Sequence, residues 1–160
     1  MRITKNGQLI QSVEDWFRYA PPKGGADQWR DGRSAKEFAR AWVESGSVSV
    51  PDELVALLSS HPDTQSAVLE NGEPEARLAF DRRVGEVRNA DLAVRAVAGS
   101  APLALTIEAK ADEPFDQLVA DTLADALDRI LERGRGGGVD RVRDLATSLL
   151  NPPARGLPPL

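Results

Sequence analysis

An α+β fold, with a mixed sheet of at least three strands flanked by helices, is what this sequence predicts. Three observations carry that expectation. Apolar residues recur at 3–4 spacing over residues 34–58 and again over 115–132. Between those stretches, from residue 75 to 108, they alternate instead, and turn residues separate the alternating segments. At 160 residues the chain reads as a single domain (1–160) that can bury a real core. Within it, 1–33 reads as an aromatic-rich N-terminal cap, 34–132 as the core, and 133–160 as a linker, a helix and an irregular tail.

In chain order, Trp16, Phe17, Tyr19 and Trp29 surround a Pro-Pro-Lys-Gly-Gly turn, and rings so gathered are expected to pack on the core. Ser34-Ala-Lys-Glu37 is a capping box that opens a helix through Phe38, Ala41, Trp42 and Val43, and Gly46 ends it. Pro51-Asp-Glu starts a second helix with a buried stripe of Leu54, Val55, Leu57 and Leu58. Residues 75–81 form the first predicted strand, 82–89 a turn containing Gly85, and 92–97 a second strand. Gly99-Ser100-Ala101-Pro102 is a tight turn into a third strand, 103–108. Pro114 then occupies a first helical position, and a long amphipathic helix follows over 115–132. Gly134 to Gly138 form a connector without the Gly-Lys-Ser/Thr of a phosphate loop, and a last helix covers 139–150.

Composition narrows the chemistry. With 41% hydrophobic and 28% charged residues the chain is ordinary for a soluble globular protein, with neither a membrane span nor a signal peptide's apolar region, so the cytoplasm is the expected compartment. The absence of cysteine rules out disulfides and thiolate chemistry, leaving oxygen ligands or His61 to hold any metal. His61 itself, before Pro62-Asp63, reads as an exposed turn residue. A net charge of −5 argues against a protein that binds nucleic acid through its whole surface. The four lysines (Lys5, Lys23, Lys36 and Lys110) are scarce among 20 basic residues, which makes a lysine beside Glu108 mildly informative.

On the third strand Thr106, Glu108 and Lys110 share a face, because side chains alternate. A turn centred on Ser100 places Asp91 opposite Ala109, between Glu108 and Lys110, so two carboxylates and an ammonium converge. Phosphodiester hydrolysis needs such a patch. Asp91 and Glu108, helped by the Ala109 carbonyl, can hold Mg²⁺ or Mn²⁺, while Lys110 orients the attacking water and stabilises developing charge. Glu75 is the best positioned of Glu53, Glu70, Glu75 and Glu86 for an additional acidic role. Arg82, Arg83, Arg88 and Arg95 fall near the patch, where they either meet phosphates or form a solvated face.

Asp91, sixteen residues, then Glu108-x-Lys110 on a hairpin before a helix resembles the PD-(D/E)XK, restriction-endonuclease-like nuclease superfamily. The segments Trp29…Gly32-Arg-Ser-Ala35…Ala41-Trp42, Asn89-Ala-Asp91-Leu and EAKADEPF (108–115) resemble more closely a bacterial domain family of unknown function placed in that superfamily. This closer resemblance spans most of residues 15–150. It implies an αβββαβ core, Asp91 and Glu108 as metal ligands, Lys110 as the catalytic lysine, and Mg²⁺- or Mn²⁺-dependent cleavage of nucleic acid, DNA ahead of RNA. A homodimer is compatible with restriction-type cutting of both strands, though no residue marks an interface. Ala90 stands where the family's proline usually precedes the aspartate, and no fourth strand is legible after the 115–132 helix. Related domains continue with a further strand, which implies a chain that continues past Leu160 or a missing edge strand. The competing reading is a catalytically inactive module that keeps the fold for binding or regulation.

Overall fold

Asn6 and Gly7 adopt positive φ values of 50° and 79° and reverse the chain almost as soon as it begins. Asn-Gly accepts a type I′ turn at little cost, so Arg2–Lys5 (β1) and Gln8–Leu9 (β2) pair as a short antiparallel hairpin. Reading 1–33 only as an aromatic cap misses these strands, although an Asn-Gly between apolar residues is their signal. The computed structural model describes residues 1–43, 46–78, 88–111, 117–134 and 136–150. They form an α+β fold with a five-stranded mixed sheet, in two compact units, Met1–Pro114 and Phe115–Leu160.

The helices of the first unit start on local caps. Ser12 Oγ accepts the Asp15 N–H at 3.0 Å and Asp15 accepts the Gln11 N–H at 3.2 Å, which opens Val13–Tyr19 (α1). In Ser34–Val43 (α2), Glu37 does reach back, but to the Gly32 N–H at 2.8 Å, so the helix is capped earlier than the Ser34 box implies. Its buried residues are Ala39, Trp42 and Val43, with Ala41 exposed. Asp52–Ser59 (α3) follows Pro51 as expected, but its buried stripe is narrower than periodicity predicts. Val55 and Leu57 are exposed, and only Leu54 and Leu58 are half-buried.

Ala67–Leu78 (β3), Arg88–Ala98 (β4) and Ala101–Ile107 (β5) form an antiparallel meander, and β1 lies parallel to β3, giving the order β2-β1-β3-β4-β5. β3 begins eight residues before the predicted start at Glu75. Asn71-Gly72-Glu73-Pro74 looks like a turn, yet Gly72 sits where a Cβ would come within 3.4 Å of Met1, Leu92 and Ile3. Its missing side chain lets β1 and β4 close on β3. Pro74 is tolerated in this inner strand because β1 pairs only with Asn71 and Gly72, leaving that flank of β3 without a ladder partner at Pro74. The β4–β5 turn is Gly99-Ser100 alone, with Gly99 at φ 61°. Ala101 and Pro102 belong to edge strand β5, where a proline costs no ladder bond.

Leu92 and Val94 of β4 and Ile3 of β1 pack with Trp16, Ala20, Trp42 and Val43 into one core, so α1 and α2 cover a face of the sheet. Trp16 is core, meeting Phe38 edge-on at 5.9 Å, and Tyr19 and Trp29 pack against it, while Phe17 reaches it through its stack on Trp29 at 5.1 Å. In the second unit, Val119–Arg133 (α4) starts four residues later than expected and ends at Gly134, whose φ of 63° allows a left-handed cap. Gly138–Leu150 (α5) returns against it. A Cβ on Gly138 would lie 2.8 Å from that of Ala126, so the glycine permits close helix approach. Leu118, Val119 and Leu131, expected on an apolar stripe, are exposed. The expectations for Pro114, Phe115, residues 79–87 and the 151–160 tail lie outside the described residues. Among the described residues no strand follows α4, and no helix is long and apolar enough to cross a membrane.

Candidate active site

The two-residue turn shifts the β4–β5 register by one from the expected pairing. Leu92 faces Ile107 in the last pair, so Asp91 lies level with Glu108 rather than Ala109. The convergence survives because opposite residues on an antiparallel ladder share a face. Asp91 Oδ2 accepts the Ala109 backbone N–H at 2.7 Å, and Lys110 Nζ lies 2.8 Å from Glu108 Oε1. These contacts fix the peptide just beyond β5, where the ladder has ended.

Glu75 joins them from β3. Its φ of 48° is left-handed, a conformation that costs a non-glycine residue roughly 1–2 kcal/mol and is held only by its surroundings. Lys5 provides part of that hold from β1, donating to the Glu75 carbonyl at 2.8 Å and to the Glu73 carboxylate at 3.0 Å. The Glu75 carboxylate meets the Asn89 amide at 3.5 Å.

Glu75, Asn89, Asp91, Glu108, Ala109 and Lys110 line one cleft of about 590 Å³. The segment before and into α2 lines it as well, with Lys23, Gln28, Arg33, Ser34 and Ala35. A small recess beside Glu75 and Asp91 is walled by Trp16, Trp29 and Phe38. Burial pushes the Glu75 carboxyl above its ordinary value, and the neighbouring Asp91 carboxylate adds to the rise, with a smaller push from Glu108. Asn89 and Lys5 oppose it. Three carboxylates thus crowd one wall closely enough to feel one another.

That donor set suits a hard divalent cation in kind, being all oxygen and under like-charge stress. Among the described residues, however, no three acidic or histidine side chains form a ready cage. Glu108 is turned to Lys110, and Asp91 to the Ala109 N–H. Side-chain rotation is therefore part of any cation binding here.

The other expected residues divide. Arg95 is exposed on β4 opposite Ala104 and Asn71, and it does not line the cleft. Arg88 opens β4 opposite Leu78, and Arg82 and Arg83 lie outside the described residues. Glu53 and Glu70 do not line the cleft either. His61 is exposed in a turn, its Nδ1 accepting the Asp63 N–H.

A family model matches residues 9–156, nearly the whole chain. The chain belongs to the family described as a domain of unknown function, DUF6946. No curated protein and no solved structure matches it. For this DUF6946 domain the cleft is the place where charged side chains from distant segments meet.

Sequence reasoning missed Asn89, Lys23, Gln28 and Arg33 as cleft residues. For Lys23 a faint signal existed. Lysine is scarce in this chain, and Lys5, Lys23 and Lys110 all end at the cleft or at the backbone of its Glu75. Arg33 and Asn89 fell inside segments that carry the family resemblance, which gave them no role.

Proposed function

We propose that this domain is a Mg²⁺- or Mn²⁺-dependent nuclease that hydrolyses phosphodiester bonds of DNA. The gathering of Glu75, Asp91, Glu108 and Lys110 around one cleft carries the reading. The element order α3-β3-β4-β5-α4 supports it too, since it repeats the αβββα run of the restriction-endonuclease-like core. The resemblance carried by Asp91, Glu108-x-Lys110 and the EAKADEPF segment points the same way.

In this reading Asp91 and Glu108 hold the cation, Glu75 completes the acidic wall, and the Ala109 peptide anchors Asp91. When bound, the cation would supply Lewis acidity toward a phosphate oxygen and lower the pKa of water. Lys110 is a compact positive charge at the same end of the cleft, suited to orienting water and stabilising negative charge that builds on the phosphate. Hydrolysis adds water across one P–O bond. The hydroxyl joins phosphorus, and the proton goes to the departing oxygen. Glu75, a carboxylate on the same wall of the cleft, is placed to pass one.

Calorimetric titration with Mn²⁺ and cleavage of supercoiled plasmid in Mg²⁺ test the reading together. The wild type binds Mn²⁺ in the micromolar-to-millimolar range, and Asp91→Ala or Glu108→Ala abolishes binding. Lys110→Ala keeps metal affinity and loses about 10²–10⁴-fold in rate. Lys110→Arg rescues poorly, because a planar guanidinium does not replace a compact ammonium. Equal cleavage by wild type and Lys110→Ala would end the catalytic role of this lysine.

One observation favours a second reading, a non-catalytic binding module. Among the described residues no metal cage is preformed, and Lys110 and Glu108 satisfy each other. That module predicts no carboxylate-dependent Mn²⁺ binding and near-neutral effects of both Lys110 variants.

A further inference from the structure

The strand wall of the cleft is acidic, with Glu75, Asp91 and Glu108, and any phosphate drawn toward it must be paid for in repulsion. The remaining wall has the opposite character. Lys23 and Arg33 line it, and among the described residues there the acidic one, Asp27, is paired with Arg30 at 2.6 Å. Lys110 adds a third cation, but it is turned to Glu108 at the strand end. Lys23 and Arg33 bring cationic groups to the cleft from a segment other than the strands that carry the three carboxylates.

The shape of that wall is specified, which is unusual for surface cations on a loop. Gln28 Oε1 accepts the Gly24 N–H at 2.9 Å, and a Cβ on Gly24 would lie 2.6 Å from the Gln28 side chain. Gly25 holds a φ of 59°, and Pro22 is buried. On the far side of Asp27, Glu37 caps the Gly32 N–H, while Asp31 binds Lys36 at 2.7 Å and Arg40 at 2.8 Å. Lys23 and Arg33 thus flank a segment pinned at both ends.

We propose that Lys23 and Arg33 form a second phosphate subsite, which binds the phosphate next to the one held at Glu75, Asp91 and Glu108. The inference deepens the nuclease reading and rests on it for the location of the first phosphate. It names the substrate class as a chain with at least two adjacent phosphodiesters, rather than a single diester or a nucleotide. The cleft volume agrees, since about 590 Å³ lies within the roughly 300–1,000 Å³ that encloses a ligand of several rings. The charge agrees as well. Among the described residues three cations and four carboxylates line the cleft, so a bound divalent cation would offset the acidic excess among them and favour a polyanion.

Binding is measured on the full chain by fluorescence anisotropy, with a labelled single-stranded DNA of about ten nucleotides in Ca²⁺ and in chelator, across a salt series. The variants are Lys23→Ala, Arg33→Ala, both together, and Arg95→Ala as a cation outside the cleft. The double variant should lower the slope of log affinity against log salt by about 1.4, and Arg95→Ala should leave it unchanged. Circular dichroism confirms that each variant folds. In parallel, hydrolysis of the DNA and of bis(p-nitrophenyl) phosphate is followed in Mn²⁺. The double variant should raise KM for the DNA at least tenfold and raise KM for the single diester far less. Absence of DNA binding by the wild type, or a slope equally unchanged in the double variant and Arg95→Ala, overturns the subsite. A wild type that binds DNA with the expected slopes but hydrolyses neither substrate keeps the subsite and sinks the nuclease reading instead.

Discussion

The two walls of the cleft are built by different physics. The strand wall gets its geometry from the sheet. β3, β4 and β5 are tied by long antiparallel ladders, and that register sets the level of Asp91 on β4 and of Glu108 just past the last β4–β5 pair. The wall before α2 gets its geometry from short-range bonds: Gln28 to Gly24, Glu37 to Gly32, and Asp31 to Lys36 and Arg40. The difference teaches where precision and tolerance lie in this molecule. Groups that need close placement stand on the ladder or directly at its end, and groups that only need to present charge stand on a locally capped segment.

The sharpest way to break this contrast is to release the second wall from the sheet. α2 is anchored by Trp42, buried to 1% beside Val43 and against Phe38, and α2 carries that wall. Trp42→Ala should cost about 3–5 kcal/mol in guanidinium denaturation. Trp42→Phe should cost much less than its lost volume suggests. The indole Nε1 is buried with no acceptor among the described residues, and phenylalanine removes that unsatisfied donor.

On the strand wall the corresponding weak point is Lys5. Lys5→Met removes the donor to the strained Glu75 carbonyl and should cost about 1–3 kcal/mol, measured by the same denaturation. Glu73→Gln, which touches only the exposed ion pair, should stay within roughly 0.5 kcal/mol. Equal costs for the two would place the value of Lys5 in the ion pair rather than the backbone clamp.

Gly24→Ala probes the local bonds directly. The new methyl must displace Gln28, so the Gly24 N–H loses its acceptor, at about 1 kcal/mol. In Gln28→Ala the clash is gone, and a second change at Gly24 should add little. The double-mutant cycle therefore shows coupling, and simple additivity would refute the contact.

The smallest effect is a pH dependence. Burial and Asp91 raise the folded-state pKa of Glu75 above its ordinary 4.5, so the folded protein holds this proton more tightly than the unfolded chain. Stability therefore falls as pH rises from that ordinary value through the raised one, and the penalty is complete above it. Glu75→Gln removes the penalty. It should be more stable than wild type near neutrality, with the advantage vanishing in acid below 4.5. Thermal denaturation of both proteins across pH gives the comparison, and a constant difference would mean that Glu75 does not titrate as its surroundings require. Saturating Mn²⁺ should erase the same advantage if the cation relieves the repulsion.

How much of this was legible depends on range. The β4–β5 hairpin and its Asp91, Glu108 and Lys110 were readable because all lie within one alternating segment with a turn in it. Even so, a turn centred on Ser100 and the observed Gly99-Ser100 turn are both reasonable, and the one-residue shift of register between them changed which residue faces Asp91. The start of β3 was hidden, because Asn71-Gly72-Glu73-Pro74 has the composition of a turn and becomes strand only when β1 and β4 pack against Gly72. The exposed Val55 and Leu57 show the converse: apolar spacing marks a helix but does not say how much of it finds a partner.

By itself the sequence determined the α+β class, the approximate helices, the hairpin and the pairing of an aspartate with a Glu-x-Lys. All of these are written in repeats of two to four residues or in single turns, which bias the backbone before any tertiary contact forms. The sequence singled out Glu75 among four glutamates, but the tertiary structure alone put it in one cleft with Asp91 and Glu108 and let Lys5, 70 residues away, hold its carbonyl. It also brought Lys23 and Arg33 to the other wall of the same cleft. Such meetings depend on which strands pair and how closely their backbones approach, and a residue's identity carries no record of a partner that only folding brings within reach.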